Sequence, residues 1–407
     1  MKDDPAPIPG MGTALRVAFI IDSREPARGG AEASLEAFAR ALERRGHRVT
    51  FLTMAEPRGE GDSRYPHEVI RVPRHPRWLR EILFAVRSCE RAQSEAFDVA
   101  VGFRHVPDVD VFEPHGGRHA RAAAASIEAR GRGLVGSVRR LFRPIAPRQL
   151  VFSWAERTLL RRAPPAILVA LSRSVLADFK CAYPTATAEW HLVPGAVDLA
   201  KFHPPEGVEE RERARMRLAC PVGRESLLLV AHNPCLKGLA TALRALARPE
   251  LENAHLAWVG RGKPASFRRL ARRLGVAHRF TGLGSCERTE LLYRGADVLV
   301  HPTHHDPCSL VVLEALASGL PVVTTARNGA AEVIVEHGGG RVIEDPDDVE
   351  GLARAVRELL DAPAEIRLTA RAAAETRPIE ERLQRLVELV EEAVRGRRAR
   401  RLSVGLD

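Results

Sequence analysis

The feature that most constrains the fold is an alternation of short apolar runs with amphipathic stretches, which occurs in both halves of the chain. In the first half, residues 16–21 and 48–53 are apolar runs, and residues 31–45 between them carry apolar side chains at helical spacing. Strand, helix and strand in succession indicate a βαβ unit and a parallel sheet. The pattern restarts with a strand predicted at residues 227–231, a helix over residues 237–246 and a further strand at residues 254–259. The sequence therefore predicts an α/β protein with two doubly wound domains and a cleft between them, and with ligand sites beyond the carboxyl ends of the strands.

The predicted boundary between the domains lies in residues 192–205, which are rich in proline and glycine and lack apolar periodicity. We expect a first domain over residues 1–195 and a second over residues 196–375. A charged amphipathic helix and a basic tail are expected over residues 376–407.

Composition excludes several classes of protein. Of the 407 residues, 45% are hydrophobic and 28% charged, which is typical of a soluble globular protein. No apolar run approaches the roughly 20 residues that a membrane span needs, and residues 1–12 contain acids and prolines where a signal peptide would be basic and then apolar. The six cysteines form no Cys-x-x-Cys pair, so reduced thiols in a cytoplasmic enzyme are expected rather than a zinc site or disulfides.

The first candidate site is Gly29-Gly30, which follows the first predicted strand and precedes a helix. Glycines there allow a ligand close to the backbone, and the helix N-terminus offers N–H groups to an anion. The pattern is neither Gly-x-Gly-x-x-Gly nor a Walker A loop, which disfavours dinucleotide and ATP sites. A tight turn without a ligand remains the alternative.

The strongest local signal is the segment 301–325, in which a strand leads through a polar loop into a helix. Asp306 precedes that helix and Glu314 lies in its second turn, roughly 12 Å apart at 1.5 Å rise per residue. This separation suits the two ends of an extended ligand whose negative centre rests on the helix N-terminus, as in a nucleotide sugar. Alternatively, both acids are solvated residues at the end of a helix.

The spacing of Asp306 and Glu314 resembles the Glu-x7-Glu motif of the family 4 retaining glycosyltransferases. Residues 29–32, 193–202 and 319–325 resemble further motifs of that family. Residues 101–112 and 259–276 resemble its lipopolysaccharide core glucosyltransferases. The resemblance spans roughly residues 16–375. It implies the GT-B fold, in which two Rossmann-like domains face each other across a cleft.

The resemblance also implies how the donor is bound. Lys237 is similar to the lysine that contacts the donor diphosphate, and Glu314 to the acid that holds the ribose hydroxyls. The remaining predicted donor-binding residues are Gly29, Gly30, Asp306 and, through backbone N–H groups facing the phosphate, Cys308, Ser309 and Leu310.

His115 and Asp306 are the predicted catalytic residues. His115 resembles the family histidine beside the reacting sugar, where it would steady developing charge without acting as a Brønsted base; Asp306 matches the acid that contacts the donor sugar. Since a lysine and helix N-termini can neutralise the leaving diphosphate, neither a metal nor another cofactor is expected. Asp108 and Asp110 form an Asp-x-Asp pair that is better explained by local structure.

Three residues depart from the family pattern: Asp306 stands where a glutamate is usual, Leu236 where an arginine is usual, and Ser309 where a glycine is common. The shorter acid changes the reach to the sugar, and Leu236 removes a phosphate contact. A catalytically weak nucleotide-sugar-binding protein therefore stays open as an alternative.

Residues 118–162 interleave arginines with apolar residues. Such a segment is typical of a surface that binds anionic lipid headgroups or a phosphorylated acceptor, although a solvated helix face explains it equally well. The net charge of +10 would also suit nucleic acid, but aromatic residues are few and no recognition motif occurs, so nucleic acid is not the expected partner.

Together these observations predict a retaining transferase that moves a hexose, with glucose from UDP-glucose as the favoured donor, onto a lipopolysaccharide-core-like or other lipid-linked saccharide. The alternatives are a family 4 transferase with another donor or acceptor, or the weak binding protein. We expect a cytoplasmic protein with peripheral association to the membrane.

Overall fold

The computed structural model describes residues 14–22, 30–55, 64–130, 146–262 and 264–404. Contacts between residues divide the chain into two compact units. The first contains residues 1–120, 141–193 and 381–407, and the second contains residues 121–140 and 194–380. Gly29 and residues 131–145 of the predicted basic segment lie outside the described residues.

The first unit is built on a parallel sheet. Its strands are β1 (Arg16–Ile20), β2 (Arg48–Thr53), β3 (His67–Val69), β4 (Val99–Gly102), β5 (Val111–Phe112), β6 (Ile167–Ala170) and β7 (Glu189–Leu192). Its helices are α1 (Gly30–Arg44), α2 (Arg77–Ala92), α4 (Pro147–Leu160), α5 (Arg173–Ala182) and α14 (Ile379–Val404), and α3 (His119–Glu128) crosses the division after Ala120. The strand order is β3-β2-β1-β4-β5-β6-β7.

The second unit repeats this architecture. Its strands are β8 (Glu225–Val230), β9 (Ala254–Val259), β10 (Phe280–Gly284), β11 (Val298–His301), β12 (Val322–Thr325) and β13 (Gly340–Ile343). Its helices are α6 (Val208–Arg217), α7 (Leu239–Leu246), α8 (Pro264–Arg273), α9 (Thr289–Gly295), α10 (Leu310–Ala317), α11 (Ala331–His337), α12 (Val349–Leu360) and α13 (Glu365–Glu375). The strand order is β10-β9-β8-β11-β12-β13.

The central strands are apolar because helices cover both faces of each sheet. Every residue of β9, β11 and β12 is buried, and two apolar clusters form around the second sheet. Parallel strands covered on both sides require such continuous apolar runs. In each sheet the strand order reverses at one point, between β1 and β4 and between β8 and β11, and this is where doubly wound sheets bind ligands.

The helix predicted to start at Lys237 begins instead at Leu239, so that prediction was wrong by two residues. Gly238 before it has φ +76°, and a Cβ there would lie 2.1 Å from the Pro302 carbonyl oxygen. Only glycine fits both the left-handed backbone and this close approach. Lys237 therefore lies in the turn before α7 and not in its first turn.

Helix α14 belongs to the first unit from Glu381 onward, although it follows the second unit in sequence. The Arg382 guanidinium donates to Val193 O at 2.6 Å and to Glu113 Oε1 at 2.5 Å. The first unit is therefore assembled from separate segments of the chain. Among the described residues, every helix is too short or too polar to traverse a lipid bilayer.

Candidate active site

Two loops of the second unit meet where its strand order reverses. Strands β8 and β11 are direct neighbours, with Leu227 opposite Val298 and Leu228 opposite Leu299. The loop after β8 carries Lys237, and the loop after β11 carries Asp306. The connectivity of the sheet thus brings together two residues that are far apart in sequence.

Lys237 and Asp306 form a direct ion pair. Lys237 Nζ lies 2.5 Å from Asp306 Oδ2 and 3.2 Å from His305 O. The two side chains are only 19% and 13% exposed. An ammonium group has three N–H donors, so these two contacts leave one donor for an anion.

The charge state of Asp306 follows from its neighbours. Burial alone would raise the pKa of this carboxyl, but Lys237 and the His301 side chain outweigh it and hold the pKa well below its usual range. Burial lowers the pKa of His301, whose Nε2 lies 3.7 Å from Asp306 Oδ2 and 3.3 Å from Ser309 Oγ. At neutral pH Asp306 is therefore ionised and the imidazole of His301 is neutral.

His301 has a place in this site that the sequence analysis did not assign. It is the last residue of β11 and is 1% exposed. A histidine at the end of an apolar strand is in most proteins a core residue, so only its proximity to Asp306 indicates a role.

Main-chain contacts fix the Asp306 loop against the Lys237 loop. His304 N donates to Leu236 O at 2.9 Å, and Thr303 Oγ1 lies 3.3 Å from the same oxygen. Leu236 stands where the resemblance implies an arginine, and its aliphatic side chain carries no charge for a phosphate. Its carbonyl nevertheless positions the loop.

Asn328 is a second site residue that the sequence analysis missed. It follows β12, is 2% exposed, and its Oδ1 accepts hydrogen bonds from Ser309 N and Ala330 N, both at 3.1 Å. Its Nδ2 donates to Thr324 Oγ1 at 3.0 Å. An Asn-Gly pair after a strand predicts a turn. That pattern does not predict the three buried hydrogen bonds that the Asn328 side chain makes.

The contact with Asn328 bears on the predicted role of Ser309. The backbone N–H of Ser309 is already bound to an amide oxygen, so a phosphate must displace that oxygen to reach it. Leu310 is the first residue of α10, and the N–H groups of a first helical turn have no acceptor within the helix. Cys308 is half-buried and lies two residues before the start of α10.

Glu314 lies in the second turn of α10 and accepts a hydrogen bond from Tyr293 Oη at 2.7 Å. Burial raises the pKa of Glu314, against the opposing effects of Tyr293 and Lys201. Both motif acids are thus engaged in internal contacts, which argues against solvated residues at a helix end. Tyr293 holds the carboxylate of Glu314 in place.

His115 lies in the first unit, in the loop after β5. Its Nε2 lies 2.8 Å from Glu113 Oε1, and its ring stands edge-on to Phe103 with centroids 5.2 Å apart. Burial would raise the pKa of Glu113, but Arg382 and His115 outweigh it and lower that pKa. An ionised, buried carboxylate therefore orients the imidazole, which is 20% exposed.

The remaining predictions fall on Gly29, Gly30 and the metal. Gly29 lies outside the described residues, and Gly30 is the first residue of α1.

Within the described ranges, no group of three His, Cys, Asp or Glu side chains is arranged to hold a metal. Asp110 Oδ2 accepts a hydrogen bond from Ala100 N at 2.9 Å. This contact agrees with the prediction that the Asp-x-Asp pair has a role in local structure. The metal-independent reaction stays a prediction.

Comparison with known proteins agrees with this architecture. Residues 28–201 match the family model described as Glycosyltransferase Family 4, and residues 225–362 match the model described as Glycosyl transferases group 1. The chain is 28% identical to the lipopolysaccharide glucosyltransferase WaaG of Escherichia coli K12, over 82% of this chain and 86% of that protein. It is 32% identical to the D-inositol 3-phosphate glycosyltransferase of Xylanimonas cellulosilytica, over 52% of each chain.

Solved structures show the same fold. The crystal structure of WaaG matches with a TM-score of 0.79 at 24% identity, covering 92% of this chain and 99% of that one. Anabaena Alr3699/HepE in complex with UDP-glucose matches with a TM-score of 0.69 at 18% identity, covering 93% and 100%. The prediction of an α/β protein with two Rossmann-like units of the GT-B type is confirmed.

Proposed function

Because the chain belongs to the glycosyltransferases, with a family 4 region followed by a group 1 region, we propose that it transfers glucose from UDP-glucose to a saccharide acceptor of the lipopolysaccharide core type. The observation that carries this proposal is the ion pair of Lys237 and Asp306 at the point where the second sheet reverses its strand order. The identity of the substrates is supported by the similarity to WaaG and by the fold shared with HepE, whose structure contains UDP-glucose.

Departure of UDP from the anomeric carbon places negative charge on the diphosphate. The ammonium of Lys237 and the first turn of α10 supply preorganised positive charge there. In this mechanism the diphosphate competes with Asp306 for the ammonium. Asp306 then accepts hydrogen bonds from hydroxyls of the donor sugar.

Glu314 would accept hydrogen bonds from the ribose hydroxyls. A carboxylate can accept from two adjacent hydroxyls at once, and the bond from Tyr293 limits the rotation of its side chain. In this proposal the nucleoside lies along α10 and the sugar lies toward Asp306.

His115 would act on the sugar and not as a proton acceptor for the acceptor hydroxyl. Its Nε2 is engaged with Glu113, so Nδ1 is the ring atom that can meet a sugar hydroxyl. The contact with Glu113 fixes the orientation of the imidazole, which steadies the donor sugar as charge develops at the anomeric carbon. The acceptor hydroxyl attacks the anomeric carbon from the side of the leaving group, the bond to UDP breaks, and the hydroxyl proton passes to an oxygen of the departing diphosphate. This course retains the anomeric configuration.

We further propose that α2 and α4 of the first unit meet an anionic membrane surface, where a lipid-linked acceptor is presented. These packed helices expose Trp78, Leu150 and Trp154 at 42%, 55% and 39%. Arg148 at the start of α4 is 54% exposed. Aromatic and aliphatic groups beside arginines are typical of surfaces that insert at the level of lipid headgroups.

One observation favours a second candidate, a nucleotide-sugar-binding protein with little transfer. Ser309 N–H is occupied by Asn328, and Leu236 offers no guanidinium, so the diphosphate has fewer contacts than the family pattern provides.

Calorimetric titration with UDP, ADP and GDP, followed by assays of UDP-glucose hydrolysis and transfer, separates the two candidates. We expect UDP to bind most tightly and glucose to be released or transferred. UDP binding without either reaction would favour the second candidate, and no binding of any of the three would contradict both. Lys237→Met should abolish the binding of UDP and the release or transfer of glucose. Lys180→Met, at an exposed lysine of α5, should leave both unchanged.

A further inference from the structure

A cavity of about 440 Å³ lies at the amino-terminal edge of the second sheet. Glu225 is the first residue of β8, Asp297 precedes β11, and Pro321 precedes β12; all three line the cavity. All strands of a parallel sheet begin at the same edge, whereas Lys237 and Asp306 follow strand ends. At about 3.3 Å per residue, strands of this length separate the two edges by roughly 13–20 Å. The cavity is therefore distinct from the candidate active site.

Four arginines line this cavity: Arg211 and Arg215 of α6, Arg224, and Arg367 of α13. Three of them converge on one carboxylate. Asp297 Oδ1 lies 2.6 Å from Arg211 Nη2 and 3.5 Å from Arg367 Nη2. Asp297 Oδ2 lies 2.9 Å from Arg215 Nη1. The single negative charge of Asp297 is thus shared by three guanidinium groups.

The other acid of the cavity does not balance this excess. Glu225 is bound by Arg357, with contacts of 2.9 and 3.1 Å. Arg224 donates to the main-chain carbonyl of Glu252 at 3.2 Å, which is a neutral acceptor. The described charges of the cavity therefore sum to a positive surplus.

The like charges affect one another. Burial first, and then the positive charge of Arg211, lower the pKa of Arg367 to about 10, against the opposing effect of Asp297. At neutral pH all four guanidinium groups remain protonated. A further anion in the cavity would relieve the repulsion between them.

We propose that this cavity binds a phosphate-bearing small molecule, either a phosphomonoester or a diphosphate. Guanidinium groups match phosphate oxygens with paired N–H donors, and a dianion would offset most of the positive charge that Asp297 leaves unbalanced among the four arginines. A volume of about 440 Å³ is that of a pocket for a small ligand and exceeds the size of a single phosphate. Arg211, Arg215 and Arg367 are 35%, 17% and 25% exposed, so solvent reaches the donors.

The test uses the full chain carrying Lys237→Ala, which removes the ammonium of the proposed donor site from the measurement. Calorimetric titration with inorganic phosphate, pyrophosphate and glucose 6-phosphate measures binding to the cavity. Adding Arg211→Gln or Arg224→Gln should weaken binding of the best probe at least tenfold. The matched control is Arg213→Gln, at an arginine of the same helix whose side chain is 74% exposed and pairs with Glu209; it should leave the affinity unchanged.

Two results would overturn the proposal: no saturable binding of any probe to the Lys237→Ala protein, or equal affinities in the Arg224→Gln and Arg213→Gln proteins. Arg224→Gln breaks only a contact to a main-chain carbonyl, so it remains informative if Arg211→Gln fails to fold. UDP-glucose turnover of the single variant Arg224→Gln should equal that of the wild type. The outcome for the cavity is thus independent of the outcome for the proposed function.

Discussion

Lys237 Nζ lies 2.5 Å from Asp306 Oδ2, although the two residues are 69 positions apart in the chain. A pair of this kind stabilises the site only while both members are present, because each would otherwise be a poorly solvated charge. In the proposed mechanism the donor diphosphate competes with Asp306 for the ammonium of Lys237. Substrate binding and local stability would then be linked at the same two atoms.

A double-mutant cycle should reveal this coupling. Lys237→Met leaves Asp306 without its cation and should reduce the free energy of unfolding by about 3 kcal/mol. Adding Asp306→Asn should recover about 1–2 kcal/mol of that loss, since no uncompensated charge remains. Urea denaturation at pH 7 measures all four proteins; additive losses would show that the pair contributes no coupling.

The His115→Ala protein should fold and bind UDP as the wild type does, because Glu113 keeps Arg382 as its partner. Turnover should fall about 100-fold or more if the imidazole stabilises developing charge. Steady-state kinetics and UDP titration measure the two effects. His337→Ala, at a side chain that is 40% exposed, serves as the control; wild-type turnover in His115→Ala would end the assignment.

Glu314→Gln should change how stability depends on pH. Burial raises the pKa of Glu314 in the folded protein above its unfolded value of about 4.3. The folded state thus favours the protonated acid, and this contribution is lost as pH rises from about 4.3 through the folded pKa.

Urea denaturation across pH 4–8 should therefore show the wild type losing stability relative to Glu314→Gln as pH rises, while UDP binds the variant about tenfold more weakly. Glu209→Gln, at a side chain that is 89% exposed, should change neither quantity. A pH-independent difference between Glu314→Gln and the wild type would contradict the raised pKa.

Asn328→Ala should destabilise the protein by about 2–3 kcal/mol, because it leaves the N–H groups of Ser309 and Ala330 without their acceptor. The affinity for UDP-glucose should also fall, since the loop that carries Asp306 loses an anchor. Asn253→Ala, at an exposed asparagine, should alter neither stability nor affinity. A fully stable Asn328→Ala protein would show that water replaces the amide.

Vesicle binding should require anionic lipid and weaken as salt increases, because arginines accompany the exposed apolar groups of α2 and α4. Replacing Trp154 and Leu150 by alanine should reduce binding to vesicles of phosphatidylglycerol in a sedimentation assay. The control replaces Val222 and Met216, which are 102% and 72% exposed on the second unit. Salt-independent binding, or none, would remove the membrane proposal.

The fold was predictable from the sequence because parallel strands covered on both faces leave a strong periodic signal. Strand β9, for example, was expected and found at Ala254–Val259. The start of α7 was not predictable, since it depends on the approach of Gly238 to Pro302, which lies on a distant loop. A local pattern carries no information about such a contact.

The site divides in the same way. Lys237, Asp306 and Glu314 stand out by spacing and by resemblance, whereas His301 and Asn328 have ordinary local patterns. Asn328 reaches Ser309 because β12 lies beside β11 in the sheet. His301 contacts Asp306 and Ser309 through the conformation of the loop that follows its own strand. The predicted contact of Ser309 with phosphate illustrates the reverse: its position was evident, but its partner Asn328 was not.

Helix α14 has a practical consequence for engineering. A fragment ending near residue 193 would lack Arg382, so Glu113, which is 2% exposed, would lose its guanidinium partner and keep the contact with His115. Such a fragment should express poorly. A chimera that exchanges residues 194–380 for those of a relative should therefore be spliced at two points, one before residue 194 and one near residue 380, and should retain the native terminal helix.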